Sequence, residues 1–140
     1  MDIIVTLPGG KRVDAQIGRF TVHTDQPPEQ GGEGSAPEPF ALFLASLATC
    51  AGVYVAGFCQ ARNIPTEGIR LIQRTENDPT SGRLLRVTLE VQVPSDFPPK
   101  YRDAVARAAA ACKVKKTLNH PPEVEATTSV WQRAQVAPAA

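Results

Sequence analysis

Charge imbalance, closely spaced cysteines and clustered histidines are all missing from this 140-residue chain. Its 15 lysines and arginines face 14 aspartates and glutamates, a net charge of +1. No strong attraction to nucleic acid or to a membrane surface follows from that balance. The three cysteines, Cys50, Cys59 and Cys112, form no CxxC pair, and an odd number argues against a structural disulfide framework. His23 and His120 are far apart, and neither stands at a ligand spacing from a cysteine, so no metal site is expected. The opening MDIIVTLPGGKR lacks the basic, apolar and small-residue order of an export signal. The expectation is a cytoplasmic protein with thiol chemistry rather than metal chemistry. It has no internal repeat and forms one domain over residues 1–140, with 132–140 as a frayed tail.

What the chain does have is one long apolar stretch, residues 40–62, reading FALFLASLATCAGVYVAGFCQAR with no charge before its last residue. Good helix formers dominate it, Asn63 suits the position just past a helix, and Pro65 cannot continue one. Apolar side chains on every face predict a helix buried all round. A membrane span has the right length, but Ser46, Thr49, Gly52, Tyr54 and Gly57 interrupt the run and amphipathic strands flank it, which favours the core of a soluble domain. At about 100° per residue, Cys50 shares a face with Ser46, Leu47, Val53 and Tyr54, while Cys59 points the opposite way. The two cannot bridge each other, so any thiol partner of Cys50 is Cys112.

Before this helix, residues 3–7 form a β-rich run. Val13, Ala15 and Ile17, then Phe20, Val22 and Thr24, alternate with polar neighbours, predicting an antiparallel meander of three strands. Residues 25–39, DQPPEQGGEGSAPEP, hold too much proline and glycine for a ladder or a helix interior and must be a loop. Its length and its lead into the cysteine-bearing helix place it beside the site. After the helix come a strand over 68–77, a turn at NDPTSG, and a strand in which Leu85, Val87, Leu89, Val91 and Val93 alternate with polar residues. Pro98 and Pro99 open a second helix, whose stripe of Tyr101, Val105, Ala108 and Cys112 places Cys112 on a buried face if the helix runs that far. Val124, Ala126, Thr128 and Val130 supply a last strand. Strands in runs with hairpin turns make the fold class α+β.

Among the remaining candidates, Lys113, Lys115 and Lys116 are placed to favour a Cys112 thiolate or attract an anion, or simply to form a solvated helix face. His23 and Asp25 are candidates for a hydrogen-bonded pair, His120 reads as a turn residue, and Cys59 reads as structural.

The approach GGEGSAPEP, the helix PFALFLASLATC and the segment CKVKKTLNHPPEVE together resemble the OsmC/Ohr family of thiol-dependent hydroperoxide reductases. The resemblance runs from the third strand to the last. It implies an OsmC-like fold with antiparallel sheets around a central helix, an intertwined homodimer with sites at the interface, and no cofactor. It also implies that Cys50 is the peroxidatic thiol, that Cys112 resolves it, and that an external dithiol such as a dihydrolipoyl group restores both. Organic hydroperoxides are the implied substrates, approaching through a pocket of Phe43, Leu47 and Tyr54. In the family's peroxidases an acidic residue soon after the proline that precedes the helix holds an arginine against the thiolate. Here Phe40 and Ala41 follow Pro39, and the nearest acid is Glu38. A buried thiol needs a cation to be reactive, and Arg19, then Arg12, are the candidates, with Glu33 and Glu38 as acids able to recruit one. That departure leaves a second expectation: a non-catalytic relative that binds a small apolar ligand at the same interface.

Overall fold

The computed structural model describes residues 1–133. The order of elements is β1 (Ile3–Gly9), β2 (Arg12–Ile17), β3 (Phe20–Thr24), α1 (Pro39–Gln60), β4 (Arg70–Asn77), β5 (Leu84–Gln92), α2 (Arg102–Ala110) and α3 (Lys113–Asn119). Short 3-10 turns at Pro28–Gln30 and Pro99–Tyr101 complete it. The class is α+β, as expected. β1, β2 and β3 form one antiparallel sheet in sequence order, and β4 and β5 form a separate antiparallel hairpin.

α1 starts and stops where its sequence says it should. Glu38 is the extended residue before it, and Pro39 occupies the first turn, where a missing amide leaves no bond unmade. At the other end Ile64 N–H reaches the Cys59 carbonyl at 2.9 Å and Asn63 N–H the Gln60 carbonyl at 3.3 Å. Asn63 turns left-handed at φ 53°, the closure that asparagine tolerates better than most side chains.

The helix is not buried all round. Only Leu47, Ala51, Val55 and Cys59 are buried, spaced four apart along one stripe, while Val53 is 68% exposed. The reason is that α2 covers one face. Val105 and Ala109 from α2, with Phe97 and Cys112, close the core against that stripe, and the small side chains of Ala51 and Ala109 belong to both sides of the contact. Burying a side chain such as Val105 contributes about 1.5–3 kcal/mol. On the hairpin, Leu71, Val87, Leu89 and Val91 turn their face to this core, as the alternation in β5 predicts.

Two further expectations are corrected. α2 ends at Ala110, so Cys112 is not on its stripe; it sits in extended backbone (φ −64°, ψ 150°) as the residue before α3, and is nonetheless fully buried. The last strand does not form. Residues 121–133 have no regular structure, with Val124 and Val130 exposed, and pair with none of the described strands after Pro121 and Pro122. Gln132 and Arg133 of the expected tail are irregular and exposed, and its remainder, 134–140, lies outside the described residues.

The loop after β3 is built on one carboxylate. Asp25, 1% exposed, accepts the amide of Gln26 at 2.8 Å on Oδ1, and those of Glu33 at 3.3 Å and Ser35 at 3.1 Å on Oδ2, which also takes the Ser35 hydroxyl at 2.7 Å. The Ser35 side chain and amide foremost hold its pKa at about 2, below the ordinary 3.8. Gly32 is required here by space, since a Cβ would lie 1.9 Å from the Gln26 carbonyl oxygen. His23 pairs not with Asp25 but across the ladder with Asp14, Nδ1 to Oδ1 at 3.0 Å.

Candidate functional site

Cys50 lies near the middle of α1, half-buried, at the edge of the buried stripe. α3 packs against α1 at this level and brings its first residues to the thiol. The start of α3 is shaped by Cys112, whose sulfur accepts the amide of Lys115 at 3.4 Å in the manner of a helix cap. That turn leaves the amides of Val114 and Lys113 free to act on Cys50, since first-turn amides have no intrahelical acceptor.

The electrostatic result is a Cys50 pKa below that of an ordinary thiol. The Val114 amide is the largest influence. Burial opposes it, and the Lys113 amide, the Cys112 side chain and the Lys113 ammonium add to the lowering. Cys59 has the opposite environment: burial pushes its thiol up, only partly offset by the charge of Arg62. The Arg62 guanidinium stacks over Phe58 at 3.7 Å and donates to the Phe58 carbonyl at 3.1 Å, closing the far end of the helix. All three cysteines are free thiols.

A cavity of about 360 Å³ lies between α1, α2, α3 and β5, lined by Leu47, Val87, Leu89, Ala109, Lys115 and Leu118 among others, with neither Cys50 nor Cys112 in its wall. Leu47 stands one helical turn before the thiol, and Lys115 is the residue whose amide meets Cys112. The walls are chiefly apolar with Lys115 and Asn119 as the polar members, a lining suited to a small molecule with a hydrocarbon body.

The residues singled out from sequence are therefore only partly gathered. Cys50, Cys112 and Leu47 come together. Phe43 stacks on Phe40 at 5.5 Å between ring centres, and Tyr54 is 36% exposed; neither lines the cavity. Arg19 lies in the turn from β2 to β3 with its guanidinium 5.0 Å from the Phe20 ring centre. Arg12 is on β2 beside the 25–39 loop. Glu38 precedes α1 and makes no side-chain cap. Of the described cations, Lys113 acts on Cys50, and its charge is the smallest of the influences on that thiol.

Sequence reasoning set the lysines beside Cys112, toward an anion or in a solvated helix face, and missed that the amides of Lys113 and Val114 act on Cys50. The signal was faint: a cysteine is an uncommon residue before a helix, so nothing in CKVKK marks where α3 begins. Also unforeseen is Gln73 on β4, which donates from Nε2 to the Leu44 carbonyl at 3.0 Å and anchors the hairpin to α1. Among the described residues no cluster of histidine, cysteine and acidic side chains is placed to hold a metal ion.

Residues 32–127 match the family described as OsmC-like protein. Among solved structures, a proposed osmotic stress induced and detoxification response protein from Psychrobacter arcticus is 22% identical with a TM-score of 0.71, over 82% of this chain and 85% of that one. An OsmC-like protein from Mycoplasma pneumoniae is 19% identical with a TM-score of 0.68, over 86% and 87%. The organic hydroperoxide resistance protein OhrB of Bacillus subtilis is 22% identical with a TM-score of 0.56, over 86% and 93%. These likenesses establish the fold. No curated protein matches the chain.

Proposed function

This chain belongs to the OsmC-like protein family, and from that premise we propose that it is a thiol peroxidase that reduces organic hydroperoxides through Cys50 and Cys112. The observation that carries the reading is the convergence of the α3 amides, the Lys113 ammonium and the Cys112 side chain on a single half-buried thiol. An amide-stabilised thiolate is a nucleophile at neutral pH, and a second thiol in reach can finish the reaction. The family's hydroperoxide resistance members give the substrate class.

In the proposed cycle the Cys50 thiolate attacks the terminal peroxide oxygen and the O–O bond breaks. The departing alkoxide takes a proton and leaves as the alcohol, while Cys50 becomes a sulfenic acid. The Cys112 sulfur then attacks the Cys50 sulfur, the S–S bond forms and water departs. Two thiols are oxidised and one peroxide is reduced to alcohol and water. An external dithiol of lipoyl type, in the cytoplasm, exchanges with the disulfide and restores both thiols. The apolar cavity beside Leu47 suits the organic group of the substrate, which favours organic hydroperoxides over hydrogen peroxide.

The proposed working unit is a homodimer. β1 to β3 leave Ile3, Ile4, Val5, Leu7 and Phe20 exposed, apolar side chains of the kind that an interface covers. A second copy is the proposed cover, which also leaves Arg19 and Glu38 as candidates acting between subunits.

A second reading has one observation behind it. Phe40 and Ala41 stand where the peroxidases of this type have their acid, so the cavity could serve a non-catalytic protein that binds a small apolar ligand. Turnover decides between them. With dihydrolipoamide as reductant, the peroxidase reading predicts consumption of cumene hydroperoxide at least about tenfold faster than of hydrogen peroxide, and none by Cys50→Ser. Consumption no faster than by free cysteine rejects it.

A further inference from the structure

We propose that the pocket past the C-terminal end of α1 is a binding site for a small zwitterion with an apolar body, the chemistry of an aromatic α-amino acid. It lies apart from the thiol centre, since the helix from Cys50 to Gln60 rises about 15 Å, and it holds whether or not Cys50 turns over peroxide. The pocket, of about 430 Å³, is formed by the segment after α1, the loop after β5 and the 3-10 turn before α2. Its walls are set by the backbone. Asn63 turns left-handed and Ile64 N–H closes on the Cys59 carbonyl at 2.9 Å, while in the other wall the amides of Phe97 and Tyr101 donate to the carbonyls of Pro94 and Pro98, each at 3.0 Å. Phe97, 2% exposed, anchors that loop in the core, and Pro65, Pro94 and Pro98 stiffen the lining, so little order has to be gained on binding.

The charges in this lining are positioned but unpaired. Arg62 holds its guanidinium 3.7 Å from the Phe58 ring centre and donates to the Phe58 carbonyl at 3.1 Å, which fixes a group that carries further N–H donors. Tyr101 meets Phe58 edge to face at 5.8 Å, and its ring centre lies 5.5 Å from Arg62 Cζ and 4.9 Å from Lys100 Nζ, so two cations converge on one ring. Glu67 and Asp96 line the same pocket. None of these four charges takes part in an ion pair among the described residues. Two cations and two carboxylates leave the pocket without net charge, so a simple anion or a simple cation meets repulsion as well as attraction. A ligand that brings a carboxylate to Arg62 and Lys100 and an ammonium to the acids uses both signs. The Tyr101 ring, Ile64 and the prolines take its apolar body.

The test titrates L-phenylalanine into the isotope-labelled full-length protein and follows the backbone amide signals by NMR. The expected result is a saturable shift confined to residues 61–67 and 94–101, with a Kd on the order of 1 mM. Hydrocinnamate, which lacks the ammonium, and phenethylamine, which lacks the carboxylate, should each bind at least about tenfold more weakly. Lys100→Met should weaken L-phenylalanine about tenfold, as should Glu67→Gln combined with Asp96→Asn. These three side chains are exposed, so the rest of the amide spectrum should stay as in the wild type. Arg62 is left in place because its stack on Phe58 supports the end of α1. The absence of a saturable shift would overturn the proposal. Hydrocinnamate binding as tightly as L-phenylalanine would overturn it by making the site one for anions, and unchanged affinity in both variants would overturn it by removing the charges from the site.

Discussion

Cys50 and Cys59 occupy the same helix half a rotation apart, and their surroundings push their thiols in opposite directions. Cys59 is fully buried on the stripe that faces α2, and burial raises its pKa. Cys50, nine residues earlier, meets the first turn of α3, whose amides and lysine lower its pKa. The same side chain on the same helix is held toward the thiol near the C-terminal end and toward the thiolate near the middle. What differs is the element that packs against it. Amides without helical acceptors favour an anion, and apolar side chains do not.

The largest expected effect separates the two thiols directly. Iodoacetamide at pH 7 should modify Cys50 at least about 100-fold faster than Cys59, because only the thiolate reacts and only one site favours it. With its pKa depressed, Cys50 should stay reactive as pH falls below the ordinary thiol range, whereas Cys59 should react only on unfolding. Peptide mapping of the first-labelled cysteine checks this, and equal labelling would break the comparison.

Next come the two faces of α1 as packing surfaces. Val105→Ala empties a site 1% exposed in the contact between α2 and the Cys59 stripe, and should cost about 2 kcal/mol in urea unfolding. Val53→Ala, at a side chain 68% exposed, should change stability by less than about 0.5 kcal/mol. If instead Val53→Ala proves the costlier of the two, that face of α1 is covered in solution, and a concentration-dependent unfolding midpoint should accompany it.

The smallest effect concerns the same device used elsewhere. The Ser35 hydroxyl, then backbone amides like those that favour the Cys50 thiolate, hold Asp25 ionised, with its pKa at about 2 against an ordinary 3.8. A carboxyl depressed on folding contributes stability that is complete above the unfolded value and is lost as pH falls through the folded one. The 25–39 loop should therefore stay closed at pH 5 and loosen between about 3.8 and about 2. Amide exchange at Glu33 and Ser35, normalised for intrinsic rate, reports it. Unchanged protection at pH 2 would mean that the carboxylate does not hold the loop.

Much of this was legible in the sequence because it rests on local rules. Alternation placed β2, β3 and β5, proline and asparagine marked both ends of α1, and the cysteine contexts pointed to the family. What escaped depends on contacts between distant segments. Apolar residues all round α1 reported what could be buried, not that α2 covers only the Leu47 to Cys59 stripe. The alternation at 124–130 reported strand tendency, but tendency does not dock a segment on a sheet edge, and this one pairs with no described strand. The break between Ala110 and Cys112 has no glycine or proline to announce it, so the start of α3, and with it the donors to Cys50, could not be read in advance.

The account turns on Cys50 and Cys112 acting as a pair, and oxidation of the reduced protein by one equivalent of cumene hydroperoxide tests it most directly. Peptide mass analysis without reductant should find a disulfide joining Cys50 to Cys112, with Cys59 still a thiol. A protein whose Cys50 and Cys112 both remain reduced, or oxidise no faster than free cysteine, would contradict the account.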